Sequence, residues 1–428
     1  MLEQAVPPVK SAPVENGSDI LCIGICGGGK MGQSFFNYLF NFNFPVVFYI
    51  RDPQKASEVS ESFQRKVKNR IGMAETVDQD MAVRFYRFKI TTAINELSRA
   101  DLIIEFITED VPQKRKLLQW LAEINSNAIL ATGSSSIGPG RLVGRETNGN
   151  YVGLHFFYPI PFNDYVEIIV PPGFTKENLV KIQRLLNSLQ KKTLILPEKV
   201  GSILNKMLLY CQNEAALLVL NHQYSPALID ELFATNLWPV GPFSFFDNIG
   251  LDIILTSLEE YTKDLKYKEV FSKLRQELAG LVGAGFLGKK TNRGFYNYIK
   301  GVKQAAIGDF PAFESEKERL EVLDRFKVLF INYTFDLFAQ SDLNIWDLEK
   351  AAREFLQTDQ GPVKMALTLG FGKVRNHLEQ FRITCGDHYQ PVALLEFLAC
   401  RTVREENLDE AIREFKLEQR RRDREAGD

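Results

Sequence analysis

The chain has 428 residues, 45% hydrophobic and 25% charged, a globular balance long enough for two or three domains and unlike that of a disordered or fibrous chain. Its 52 Lys plus Arg against 54 Asp plus Glu leave a formal charge of -2, which removes any global electrostatic reason to bind nucleic acid. The five cysteines suggest neither a disulfide framework nor a metal site, and no apolar run is long enough to read as a membrane span.

Residues 1–18 contain three prolines and no signal-like apolar core, so they read as a flexible leader ahead of a first domain over 19–200. Ile20 to Ile25 is a short apolar strand, followed by Gly27-Gly28-Gly29-Lys30-Met31-Gly32 and the helix-like QSFFNYLF. Strand, glycine turn and helix in that order form the setting in which a GxGxxG pattern binds a dinucleotide. Gly27 permits the turn, Gly29 lets a pyrophosphate approach the backbone, and Gly32 lets the helix pack closely. The N–H groups at the helix start face the phosphates, and Lys30 and Met31 lie inside the same turn.

The second strand, VVFYI over Val46 to Ile50, ends at Arg51 and Asp52. An acid at that tip bonds the adenosine ribose diol of NAD, whereas an arginine pairs with the 2′-phosphate of NADP. Counting places Arg51 at the tip, and both cofactors stay open. DLIIEFI, from Asp101, is a buried parallel strand with Glu109 and Asp110 just beyond its carboxyl end. PQKRKLLQWLAEI is the following helix, and AILAT runs into Gly133-Ser134-Ser135-Ser136, which lie where sites gather in such sheets or serve as turn and capping residues.

YVGLHFF is an apolar strand carrying His155, and twelve residues on Glu167 opens EIIV. The loop between them, with two prolines, folds the strands back and brings the carboxylate to the imidazole. Such a pair suits proton transfer during hydride chemistry, with the Ser135 hydroxyl on the other side of the substrate oxygen. A lone histidine in an apolar strand also has a purely structural reading. From Gly201 the pattern turns helical: SILNKMLLYCQNEAALLVLN reads as one long helix, and PVGPFSFFDNIGLDIILTSLEEY as a turn and another helix. Roughly Glu316 to Ala339, Ile345 to Leu356, Val363 to Leu369 and Val392 to Cys400 carry enough apolar residues for further helices. Gly241-Pro242 recurs as Gly361-Pro362, 120 residues later. That offset sets Asp230 against Lys350, Asn205 against Arg325 and Asn213 against Tyr333, a repeat without its polar residues. Glu405 to Asp428 is a charge-dense helix or frayed end.

GGGKMG, DLIIEFITEDVPQK, ATGSSSI, VGLHFFYPIPFNDYVEIIV, SILNKMLLYCQNEA, PVGPFSFFDNIGLD and GFLGKKTNRGFYNY stand in one register over about Ile20 to Tyr298. Together they resemble the L-3-hydroxyacyl-CoA dehydrogenase family. The resemblance implies an α/β Rossmann-type dinucleotide-binding domain, then a helical domain over 201–300 and, as in larger members, a second related helical domain over 301–428. It implies that His155 is the catalytic base, Glu167 its partner, Ser135 the hydroxyl-binding serine and Asn205 a contact to the reacting acyl group. It also carries departures. Tyr158 stands where the family has an asparagine near the active site, Gly133 replaces another asparagine, and Arg51 replaces the ribose-binding aspartate.

The reading is therefore an oxidoreductase that interconverts an L-3-hydroxyacyl thioester, on CoA or an acyl carrier, and its 3-oxoacyl form with NAD or NADP. Gly27, Gly29, Lys30, Met31, Gly32, Arg51, Asp52 and Glu109 are the cofactor-binding candidates. Tyr158 and Lys114 are assigned to the substrate pocket, with Lys30 and Lys114 available to a carrier phosphate or to solvent. A dehydrogenase of a small free hydroxy acid and a non-catalytic dinucleotide-binding protein are the alternatives. A cytoplasmic protein without metal, nucleic-acid or membrane partners is expected, and a homodimer is the default assembly.

Overall fold

A computed structural model of the chain describes residues 19–73, 79–143, 149–221, 223–304 and 312–427; the expected leader, residues 1–18, lies outside them. The chain divides into two compact units, Met1–Ser202 and Ile203–Asp428.

In the first unit short apolar runs alternate with amphipathic ones, and strands alternate with helices accordingly. The order is β1 Ile23–Cys26, α1 Lys30–Leu39, β2 Val46–Tyr49, α2 Pro53–Met73, α3 Gln79–Arg87, β3 Phe88–Thr91, β4 Leu102–Glu105, α4 Val111–Ile124 and β5 Ile129–Thr132. Then follow β6 Tyr151–Phe156, β7 Tyr165–Val170, α5 Lys176–Ser188 and β8 Lys192–Pro197. They form one eight-stranded sheet in the order β3-β2-β1-β4-β5-β6-β7-β8. Neighbours are parallel except β6 and β7, which run antiparallel. The strand order reverses between β1 and β4, where such sheets open a crevice at their carboxyl ends.

Side chains alternate between two cores. Ile23, Ile25, Phe48, Ile104 and Ala131 pack with Phe35 and Phe36 of α1 and Leu185 of α5. Cys26, Val47, Ile103 and Leu130 pack on the opposite face with Leu118 and Leu121 of α4. The central strands β1, β2, β4 and β5 are buried at every position, which is why they read as unbroken apolar runs. The period of two also puts Glu105, Thr132, His155 and Glu167 on the α4 side of the sheet.

The second unit is helical apart from a short hairpin. Its elements are α6 Ile203–Lys206, α7 Leu209–Leu220, α8 Pro226–Asn236, α9 Pro242–Ile249, α10 Leu251–Thr262, α11 Ser272–Gly283, β9 Tyr298–Ile299 and β10 Val302–Lys303. They continue with α12 Glu316–Ala339, α13 Ile345–Leu356, α14 Pro362–Leu369, α15 Phe371–Cys385, α16 Ala393–Ala399 and α17 Leu408–Gly427. Two expected single helices are each split. A turn at Met207 and Leu208 separates α6 from α7, and Gly250, with φ 113°, separates α9 from α10. The α15 helix is an addition to the expected set, among the polar residues after Leu369. Its buried Phe371, Val374, Leu378 and Phe381 have the spacing of one helical face.

Asp230 and Glu349 correct the expectation that the repeat keeps no polar residue. Asp230 accepts the N–H groups of Phe243 and Ser244 at the start of α9, at 2.9 and 2.8 Å. Glu349 accepts those of Gly361 and Val363 at the start of α14, both at 2.9 Å. A fixed offset of 120 misses this, because the second stretch holds one more residue between carboxylate and glycine and uses a side chain one methylene longer.

Candidate active site

Gly27 adopts φ 110° and starts the turn after β1. A Cβ on Gly32 would lie 2.0 Å from the Gly27 carbonyl oxygen, so only glycine lets α1 begin this close to the turn. Gly29 is different: a Cβ there would meet nothing within 4 Å. The chain's own packing leaves Gly29 open at the helix N-terminus, as approach of a pyrophosphate requires. The residues therefore fit a dinucleotide, with Gly27, Gly29 and Gly32 shaping the cradle and Lys30 exposed at its rim.

The tip of β2 lies against this turn. Ile50 is buried, and its Cγ2 is 2.9 Å from the position of a Cβ on Gly28. Arg51 is the first exposed residue beyond it. The Asp52 carboxylate is engaged within its own helix start, where it accepts the N–H groups of Gln54 at 2.8 Å and Lys55 at 3.2 Å and so caps α2.

At the end of β4 the Glu105 carboxylate is fully buried and faces the Lys114 ammonium, 2.9 Å from each oxygen. Thr132 donates to the same carboxylate, the Ile107 N–H donates to it at 3.0 Å, and Lys114 also donates to the Ile107 carbonyl at 3.3 Å. Lys114 is 1% exposed. Its expected place, at a carrier phosphate or in solvent, is corrected: the ammonium neutralises Glu105, because a carboxylate on the buried face of a central strand needs a charge partner. From the loop that this pair braces, Glu109 accepts the Ser134 hydroxyl at 2.7 Å and the Ser135 N–H at 3.3 Å. The Ser134 oxygen in turn accepts the Ile137 N–H at 2.9 Å, so Ser134 is a turn residue, and Ser135 follows β5 at the carboxyl edge of the sheet.

His155 and Glu167 are direct cross-strand partners in the antiparallel β6–β7 pair. His155 Nδ1 lies 2.7 Å from Glu167 Oε2, with the imidazole 5% exposed and the carboxylate fully buried. A carboxylate only accepts, so in the neutral imidazole the proton on that edge belongs to Nδ1 and Nε2 offers its lone pair. The Phe157 ring lies 4.4 Å from the imidazole. Sequence reading missed Ser202, whose Oγ is 3.2 Å from His155 Nδ1; only tertiary folding joins residues so far apart along the chain. It also missed Lys191. The Lys191 ammonium donates to the carbonyls of Ile160 and Asn163, both at 2.7 Å, and lies over the Tyr38 ring. It thereby fastens the loop after His155, and burial pushes its pKa down to about 8. Tyr158, in that loop, is 54% exposed. Asn205 belongs to the second unit, where its amide donates to Tyr261 Oη at 3.3 Å. No metal-binding group of His, Cys, Asp or Glu occurs among the described residues, and no helix among them is long and apolar enough to cross a membrane.

Comparison with known proteins agrees with this geometry. Residues 22–199 match the model described as 3-hydroxyacyl-CoA dehydrogenase, NAD binding domain, and residues 201–298 match that of the C-terminal domain of the same family. A 3-hydroxybutyryl-CoA dehydrogenase of Clostridioides difficile is 33% identical over 216 residues, covering 49% of this chain and 75% of the relative. A probable 3-hydroxybutyryl-CoA dehydrogenase of Bacillus subtilis (strain 168) is 28% identical over 287 residues, 65% of this chain and 98% of its own length. The crystal structure of 3-hydroxybutyryl-CoA dehydrogenase from Escherichia coli K12 shares the fold over 89% of this chain and 98% of that one, with a TM-score of 0.75 and 19% identity. With its glycine turn, its family-matched α/β and helical regions and these relatives, the chain belongs to the 3-hydroxyacyl-CoA dehydrogenase family of NAD(P)-dependent oxidoreductases.

Proposed function

We propose that this chain interconverts an L-3-hydroxyacyl thioester, carried by CoA or an acyl carrier, and the matching 3-oxoacyl thioester. The observation that carries the reading is the 2.7 Å contact between His155 Nδ1 and the buried Glu167 carboxylate. In the oxidising direction His155 Nε2 takes the 3-hydroxyl proton, and Glu167 holds the ring and stabilises the imidazolium that forms. When bound, the nicotinamide supplies the hydride acceptor. Ser135, at the carboxyl edge beside β6, holds the substrate oxygen, and Glu109 fixes the backbone of that serine. In reduction the same proton returns from Nε2 to the substrate oxygen.

We read residues 301–428 as a degenerate second copy of 201–300, supported by the like use of Asp230 and Glu349 at a helix start. The activity is tested by following nicotinamide absorbance with acetoacetyl-CoA and NADH or NADPH, for wild type and His155→Ala in parallel. Wild-type protein oxidises one or both cofactors, and the variant is slower by about 10²- to 10⁴-fold. If wild-type protein binds a cofactor and yet reduces none of a series of 3-oxoacyl thioesters, the reading is wrong.

A further inference from the structure

We infer that the nucleotide site selects a cofactor bearing a phosphate on the adenosine 2′ oxygen, and that Arg51 reads that phosphate. The inference rests on the dinucleotide reading of the glycine turn and does not need the acyl-thioester reaction. Selection of the unphosphorylated ribose uses a carboxylate at the tip of the second strand, which accepts from both hydroxyls. That carboxylate is missing. Ile50 fills the last position of the strand end: its N–H bonds the Thr91 carbonyl at 3.0 Å, and its buried side chain packs under Gly28. The one acid that follows, Asp52, has an oxygen engaged by the N–H groups of Gln54 and Lys55. Turning it toward a ribose would uncap a 21-residue helix.

Arg51 stands between these two residues, exposed, and among the described residues it forms no ion pair and no side-chain hydrogen bond. Its backbone neighbour Ile50 packs against Gly28, which sets the Arg51 backbone beside the glycine turn. A guanidinium presents several donors to a phosphate and is not titrated near neutral pH. The opposing charge of Asp52 is offset by the first turn of α2, toward which its carboxylate faces. Across the gap, the residue after β3 is the exposed Thr92, a small hydroxyl that adds no negative charge.

The test is binding, without substrate. NADPH and NADH are titrated into the full chain by calorimetry, with 2′,5′-ADP and 5′-AMP as competitors, for wild type, Arg51→Gln and Arg51→Asp. Wild type binds NADPH at least about tenfold more tightly than NADH, and 2′,5′-ADP competes better than 5′-AMP. Arg51→Gln weakens NADPH by about 10- to 100-fold, the worth of a charge-assisted contact, and leaves NADH within about twofold. Arg51→Asp reverses the preference. Equal wild-type affinities, a preference for NADH, or equal weakening of both cofactors by Arg51→Gln overturns the inference. Binding of neither overturns it together with the cofactor assignment, whereas selective NADPH binding without acyl turnover leaves it standing and removes only the dehydrogenase reading.

Discussion

Replacing Glu167 by Gln keeps the shape of the buried side chain and removes its charge. In the wild type the carboxylate oxygen is 2.7 Å from His155 Nδ1, which sets the charge centres about 4 Å apart. At an effective dielectric of about 20 that separation is worth about 4 kcal/mol to an imidazolium. The charge exists only after the substrate proton has moved, so most of this energy acts on the transition state and little on bound substrate. Turnover should fall by about 10³-fold, with cofactor affinity changed by less than about threefold. Steady-state kinetics in the oxidising direction, with L-3-hydroxybutyryl-CoA and NAD or NADP, gives kcat and KM, and calorimetry gives the cofactor Kd. A fall of less than tenfold in kcat, or a parallel loss of cofactor affinity, would refute the reasoning and leave Glu167 a structural partner. The unfolding midpoint of the variant separates misfolding from lost chemistry.

Lys114→Met leaves the Glu105 charge buried and unpaired, which costs about 3–5 kcal/mol in urea unfolding; adding Glu105→Gln should restore most of it, and additive losses would contradict the pairing. Glu349→Ala strips the acceptor from two buried N–H groups and a third at the start of α14, so stability falls by about 2–3 kcal/mol. Loss of under half a kcal/mol would mean that water replaces the carboxylate. Lys191 imposes a pH dependence. Its pKa in the folded chain is about 8, below that of the unfolded chain, so the unfolded state holds more protons between about pH 8 and 10.5 and stability rises with pH across that window. The stability of wild type relative to Lys191→Met should therefore grow by about 1–3 kcal/mol between pH 8 and 10.5, and parallel curves would remove Lys191 from the account.

Local pattern is enough for much of this protein. The strand, glycine turn and helix around Gly27, Gly29 and Gly32 are legible because each glycine answers a backbone constraint a few residues away. His155 and Glu167 can be paired from the sequence because a short loop joins two apolar strands, and antiparallel register then makes them neighbours. The α15 helix escapes such a reading although its apolar face is periodic, since the polar residues between outnumber it.

Other features depend on distance along the chain, which pattern does not measure. Lys114 has the spacing and charge of a surface lysine on an amphipathic helix. Only the packing of α4 over the end of β4 turns it into the counter-charge of Glu105. Ser202 meets His155 across 47 residues, and Glu349 replaces Asp230 through a one-residue shift that a rigid offset hides. Arg51 and Asp52 are interchangeable in sequence, because both follow the same strand. Tertiary structure separates them: Ile50 is drawn into the core, the Asp52 carboxylate is engaged by the first turn of α2, and Arg51 is left exposed with no ion pair among the described residues.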